Sequence, residues 1–305
     1  MNTTTRYYAK VMLVGEYSAI LKGDALTVPL TSFFTRLGTI DQAPDEQRAF
    51  KSLEYLRNLY QYMKSLPVNS FHGVVQIGAF EKMIRSGYYL ESDIPLGYGI
   101  GSSGSVSAFI YDQLFEGKEK LTLQQMRKDL STIESYFHGR SSGVDALSCY
   151  LGKPLLFSGG NAIEPIAFDP SRIPGGYRFF LVDSGIRLET GPLVRWFMDE
   201  LRREEFRKVV ENQYLSLNRK LIDALLERRE ADPAMILRAI SDLQYKHFRR
   251  MIPDSMSDAW LNGQVTNTYY LKLNGSGGGY MLGIAHHTAI EQVEETLGKE
   301  KLVWI

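Results

Sequence analysis

Apolar and polar positions along the chain follow two periods, and the switches between them outline the elements. Tyr7–Val14 is a nearly continuous apolar run, the pattern of a buried strand, and Leu26–Leu30 is a shorter one. Phe50, Leu53, Leu56, Tyr60 and Met63 recur at helical spacing and predict a helix from Phe50 to Met63. Gly73–Ile77 reads as a strand, and Val106–Phe115 as a helix that follows a loop of small residues. Leu121–Phe137 gives the clearest helix of this half, with Leu123, Met126, Leu130, Ile133 and Phe137 on one stripe. Two prolines and two glycines in Asp169–Gly176 break the pattern and predict domains of residues 1–174 and 175–305. Beyond the break, Arg178–Val182 reads as a strand, and Leu193–Arg229 and Ala234–Met251 as long, charged, amphipathic helices. Tyr269–Leu273 and Tyr280–Ile284 read as strands around a glycine loop, His287–Leu297 as a helix, and Leu302–Ile305 as a strand closing a sheet. This mixture predicts an α/β or α+β architecture, without internal repeats or low-complexity tracts.

Composition narrows the function classes. The 305 residues hold 35 Lys+Arg and 35 Asp+Glu, a formal net charge of +0, which argues against a generally basic surface and so against nucleic acid as a partner. Hydrophobic residues at 44% and charged residues at 23% are values of a folded globular chain. Cys149 is the single cysteine, so neither an intrachain disulfide nor a cysteine metal cluster can form, consistent with a reducing compartment. The stretch Met1–Tyr8 is polar and lacks the apolar core of a signal peptide, and no run of about 18 apolar residues predicts a membrane span. A cytoplasmic protein is expected.

Four segments could carry chemistry. Pro95-Leu-Gly-Tyr-Gly-Ile-Gly-Ser-Ser-Gly-Ser105 precedes a helix. Its glycines allow close backbone approach, free amides at a helix start favour an anion, and its hydroxyls suit phosphate or Mg²⁺. It lacks the Gly-Lys-[Ser/Thr] of a Walker A loop, and its GxGxxG (Gly99, Gly101, Gly104) lacks the acidic residue of a dinucleotide fold. The second segment runs from Glu134 to Asp145. Glu134 falls about 40° from Leu130 on a helical wheel, at the edge of the buried stripe, where a carboxylate needs a partner such as a cation. Asp145 follows a Ser-Gly turn and reads either as a general base or as a helix N-cap. Gly139–Gly143 matches GxSxG, but a nucleophile elbow needs a strand before the serine, and a helix precedes this one. The third segment, Lys10 to Tyr17, opens a buried strand with a lysine, either a placed charge or one that snorkels to solvent. In the fourth, Lys272–Tyr280, four glycines in five residues form a tight turn or a backbone-lined ligand wall. The five histidines form no HExxH, and no zinc site is expected.

Together these segments resemble the GHMP kinase superfamily, which includes galactokinases, homoserine kinases, mevalonate kinases and phosphomevalonate kinases. The three motifs of that superfamily correspond, in order, to Lys10–Tyr17, Pro95–Ser105 and Lys272–Gly279. The chain is most similar to the mevalonate kinases, whose Glu and His-Gly-x-x-Ser-Gly-[Val/Ile]-Asp are matched by Glu134, His138, Gly139, Ser142, Gly143, Val144 and Asp145. The resemblance implies an α+β two-domain fold, with an N-terminal domain like ribosomal protein S5 domain 2 and a ferredoxin-like C-terminal domain. It implies phosphoryl transfer from ATP with Mg²⁺ to a small-molecule alcohol, mevalonate above others, in isoprenoid precursor synthesis. Asp145 would then be the base and Lys10 its electrostatic partner. Glu134 and Ser103 would hold Mg²⁺, and Pro95, Gly97, Gly99, Gly101, Ser102, Ser103, Gly104 and Ser105 would bind the nucleotide phosphates. Substrate contacts would come from Glu16, Tyr17, His138, Ser142, Thr190, Gly275, Ser276 and Gly277, with Thr190 closing the segment Asp183–Thr190. Three departures keep phosphomevalonate or a sugar open as acceptor: Tyr8-Ala9 before the lysine, Gly15-Glu16-Tyr17, and Gly104-Ser105. Arg140 and Arg187 are candidates for a phosphorylated acceptor, and the long helices of the second half could cover the site or mediate a homodimer.

Overall fold

The computed structural model describes residues 3–160 and 162–305, so the first two positions of the polar N-terminal stretch lie outside the described residues. In chain order the elements are β1 (Tyr7–Val14), β2 (Ala25–Thr39), α1 (Glu46–Ser65), β3 (Val74–Val75), α2 (Ile77–Arg85), β4 (Tyr88–Ser92), α3 (Ser102–Leu114), β5 (Phe115–Glu116), α4 (Leu123–His138), α5 (Val144–Leu151), β6 (Leu155–Ser158) and β7 (Ala162–Pro165). There follow β8 (Tyr177–Asp183), α6 (Thr190–Glu200), α7 (Glu204–Val209), α8 (Leu215–Leu225), α9 (Pro233–His247), α10 (Ser257–Thr266), β9 (Tyr269–Leu273), β10 (Tyr280–His286), α11 (Ile290–Leu297) and β11 (Leu302–Trp304). No described helix is long and apolar enough to cross a membrane. The fold is α+β, as expected.

The chain groups into two compact units that are not continuous in sequence. One holds residues 1–10, 29–96 and 101–153; the other holds 11–28, 97–100 and 154–305. The expected cut at 174/175 follows the chain, whereas the units exchange short segments.

In the first unit, β2 and β4 pair antiparallel from Thr35↔Ser92 to Thr39↔Tyr88. Helix α1 begins at Asp45, whose side chain accepts from the Arg48 amide, and buries Ala49, Leu53, Leu56, Leu59, Tyr60 and Met63. Phe50, expected on that face, is exposed, because the inner stripe starts at Ala49 instead. The strand expected over Gly73–Ile77 is only Val74–Val75; Ile77 opens α2, which buries Phe80, Met83 and Ile84 at helical spacing. Helix α4 starts with a reciprocal capping box between Thr122 and Gln125. It buries Leu130 and Ile133 together with two acids, Asp129 and Glu134.

In the second unit, β8 to β11 form an antiparallel sheet in the order β11-β8-β10-β9. Helices fill the connection between its first and second strands, and α11 that between the third and fourth, the ferredoxin-like arrangement. Phe179–Val182, Leu271, Leu273 and Met281–Leu282 are buried along it. The helix expected over Leu193–Arg229 is divided: α6 ends at Glu200, and a π-turn over Val210–Tyr214 separates α7 from α8. Residues 199–205 carry Leu201 as their one apolar side chain, so nothing there holds a continuous helix on the core. Helix α10 is absent from the sequence expectation because it buries only Trp260 and Gly263 and shows no stripe.

Candidate active site

In the first unit, Tyr7 at the start of β1 packs edge-on against Phe109 of α3, and its hydroxyl donates to Asp112 at 2.8 Å. Three residues on, Lys10 is 1% exposed, and its Nζ lies 2.9 Å from Oδ1 of Asp145, which is 36% exposed. The lysine is therefore a placed charge rather than one that snorkels. Asp145 sits in the first turn of α5, where Gly143, not Asp145, is the N-cap. Of the two readings of that aspartate, the structure removes the cap. A carboxylate that is partly open to solvent and held on one oxygen by a buried ammonium keeps its other oxygen to accept a hydrogen bond.

Glu134 of α4 lies in the same unit and is 4% exposed. Burial first, and the Asp145 charge second, push its carboxyl up from 4.5 to about 7, while hydrogen bonds from Ser141 and Ser103 and the charge of Lys10 act the other way. Ser103 Oγ donates to Glu134 Oε1 at 3.1 Å and lies 3.0 Å from His138 Nε2. With its one proton on Glu134, that serine accepts from His138, so the pair requires a proton on Nε2. Burial also lowers the His138 pKa, which favours the neutral ring. Glu134 and Ser103 offer two adjacent oxygens to a hard cation, and a desolvated carboxyl with a raised pKa favours added positive charge. These residues fit Mg²⁺ that keeps most of its water, although no cluster of three acidic, His or Cys ligands occurs among the described residues.

Helix α3 begins at Ser102 rather than Val106, so the paired serines form its first turn. Gly101 is its N-cap at φ 82°, and a Cβ there would meet Lys10 Cγ at 3.0 Å. The amides of Ser102, Ser103 and Gly104 have no intrahelical acceptor, an arrangement that favours an anion. Pro95, Gly97 and Gly99 lead into it and are partly exposed, as are Ser102 and Ser103. Gly104 and Ser105 are occupied internally. A Cβ on Gly104 would lie 2.9 Å from the Asp145 carbonyl carbon, and the buried Ser105 hydroxyl is 2.8 Å from Thr35 Oγ1. Ser142 Oγ accepts from the Val144 amide at 3.3 Å.

In the second unit, Glu16 and Tyr17 are tied to protein groups. Glu16 Oε1 pairs with Lys272 Nζ at 2.6 Å, with both side chains buried. Tyr17 adopts φ 62°, packs on Phe197 and Phe248, and donates to the Ser276 carbonyl at 2.6 Å. Burial, then Tyr214 and Glu16, raise its pKa. Ser276 Oγ donates to Thr190 Oγ1 at 3.0 Å, so two expected substrate residues are neighbours. Gly275 and Gly277 have positive φ in the β9–β10 hairpin, and a Cβ on Gly275 would lie 2.9 Å from Gly99 Cα. The third motif thus lies against residue 99 of the second.

Sequence reasoning missed three sets of contacts. Ser141 donates to Glu134 Oε2. The Lys272–Glu16 pair is extended by Tyr214, which donates to the Glu16 carbonyl at 2.9 Å, and by Gln244, which donates to Tyr214 at 3.0 Å and accepts from the Leu273 amide at 2.8 Å. Cys149 is buried beside Gly101, donating to its carbonyl at 3.7 Å, and burial pushes its thiol pKa up. A lysine within the apolar run Tyr269–Leu273 was the one visible signal for the second of these.

Residues 65–153 match the family model described as GHMP kinases N terminal domain. No curated protein matches by sequence. Among solved structures, L. major mevalonate kinase in complex with R-mevalonate is similar at 18% identity and TM-score 0.67, covering 99% of this chain and 95% of that one. Lactococcus lactis galactokinase with galactose is similar at 11% and 0.65, covering 100% and 93%. Streptococcus pneumoniae phosphomevalonate kinase with phosphomevalonate and AMPPNP is similar at 13% and 0.61, covering 99% and 98%. The match to the GHMP kinase N-terminal domain model is thus confined to residues 65–153, and the chain as a whole shares the fold of these solved structures.

Proposed function

We propose that the protein transfers the γ-phosphoryl group of ATP to an alcohol, with mevalonate as acceptor and 5-phosphomevalonate as product. The observation that carries this reading is the 2.9 Å contact between buried Lys10 and partly exposed Asp145. Asp145 takes the hydroxyl proton as the new P–O bond forms, while Lys10 holds the Asp145 carboxylate in place and offsets charge on the attacking oxygen. The amides of the α3 first turn and the glycines Gly97, Gly99 and Gly101 hold the phosphates. Glu134 and Ser103 hold Mg²⁺, which when bound screens the charge of the phosphate oxygens. The run from Glu134 through His138, Ser142 and Asp145 supports mevalonate, as does the Thr190–Ser276 pair.

A second reading, 5-phosphomevalonate as acceptor, is favoured by one observation. The exposed Arg187 side chain crosses Gly97, where a Cβ would lie 2.6 Å from Nε, and places a guanidinium beside the glycine loop. ADP release with ATP·Mg²⁺ against mevalonate, 5-phosphomevalonate, galactose and homoserine separates the readings. Turnover on mevalonate is expected; turnover on 5-phosphomevalonate alone would favour the second reading, and none on any acceptor would remove both.

A further inference from the structure

A cavity of about 340 Å³ lies beside α4 in the first unit, lined by His72, Gln124, Arg127, Lys128, Ser131 and Ser142. None of Lys10, Ser103, Glu134 and Asp145 lines it, and no carboxylate does. Asp129, the buried acid of the same helix, is engaged elsewhere: it accepts from the amides of His72 and Gly73 at 2.8 and 2.9 Å and pairs with His72 Nδ1 at 2.9 Å. Gln124 Nε2 is buried without a hydrogen-bond partner. The half-buried Arg127 is perturbed by burial alone, with no acid to offset it. Among the described residues neither its guanidinium nor the Lys128 ammonium forms an ion pair. A buried amide donor and a half-buried guanidinium, both without acceptors, each cost free energy until an acceptor arrives.

We propose that this cavity binds a phosphate group, taken by the Arg127 fork and the Gln124 amide with Lys128 as a supporting charge. A phosphate supplies several acceptor oxygens at once, which matches a lining made of donors and hydroxyls. The site also touches the segment that carries the proposed base: Gly143 packs directly on the Arg127 backbone and side chain, two residues before Asp145.

The test is a titration of the full chain with inorganic phosphate, and separately with glycerol 3-phosphate, at constant ionic strength, read by ³¹P line broadening and by thermal shift. Wild type should respond. Arg127→Gln should weaken binding by about tenfold or more, the loss expected for one charge-assisted contact, while Arg57→Gln, at an exposed position of α1, should not. Lys128→Gln, at an exposed position, should weaken it severalfold and serves if Arg127→Gln fails to fold. A response to the ester alone that is still lost in Arg127→Gln keeps the site and makes a phosphate ester its ligand. No response in wild type, or an equal one in wild type and both variants, overturns the proposal. So does a response abolished by Ser103→Ala and untouched by Arg127→Gln, which would assign the phosphate to the α3 loop. None of these outcomes depends on kinase turnover.

Discussion

Glu134 is the residue whose environment makes the sharpest statement about pH. Its carboxyl is raised from 4.5 to about 7, so the folded state holds a proton that the unfolded chain has released. Stability from this group is complete below its ordinary pKa and is lost as pH rises to about 7. In metal-free buffer, the thermal midpoint of wild type minus that of Glu134→Gln should fall across that window. The difference is needed because His138, shifted down, acts in the opposite sense. Mg²⁺ at neutral pH should restore wild type and leave Glu134→Gln unmoved, and that variant should need more Mg²⁺ for turnover; identical Mg²⁺ titrations would sink the ligand role. Lys272 and Glu16 make the second residue-scale prediction. Both are buried, so Lys272→Met should cost about 3–5 kcal/mol in urea denaturation, and the double change with Glu16→Gln should recover part of it.

At the scale of elements, the site depends on how closely α3 approaches α5. Gly104→Ala would press a methyl against the Asp145 backbone at 2.9 Å and displace the helix that carries it. Turnover should fall by about 10²-fold, the loss that follows from roughly 1 Å of misplacement, while far-ultraviolet dichroism stays native. Gly78→Ala in α2 meets nothing within 4 Å and should stabilise by about 0.5–1 kcal/mol. The elements that were legible in the sequence had an unbroken pattern, such as β1, whose observed bounds equal the expected Tyr7–Val14. Those that were not legible had their pattern overridden. Helix α3 starts four residues early because Gly and Ser carry no apolar period, and α10 shows no stripe to find.

At the scale of the whole molecule, the sequence motifs located the candidate reacting groups but not their partners. Lys10, Ser103, Glu134 and Asp145 were visible as charges or hydroxyls in unusual places, and the structure brings them into one compact unit. Glu16 and Tyr17 read as ligand groups, yet Glu16 Oε1 pairs with Lys272 and the Tyr17 hydroxyl donates to the Ser276 carbonyl. Pairings such as these join positions 256 and 259 residues apart, and no local pattern encodes them. The division into units is likewise set by packing: residues 97–100 group with the second unit although the chain on both sides belongs to the first.

The central claim is that Asp145, held by Lys10, takes the acceptor's proton. The measurement that tests it most directly is kcat for mevalonate phosphorylation by Asp145→Asn beside wild type, read as ADP release under saturating ATP·Mg²⁺. The account predicts a fall of about 10²–10⁴-fold with the fold intact. Turnover in Asp145→Asn near the wild-type rate would contradict it.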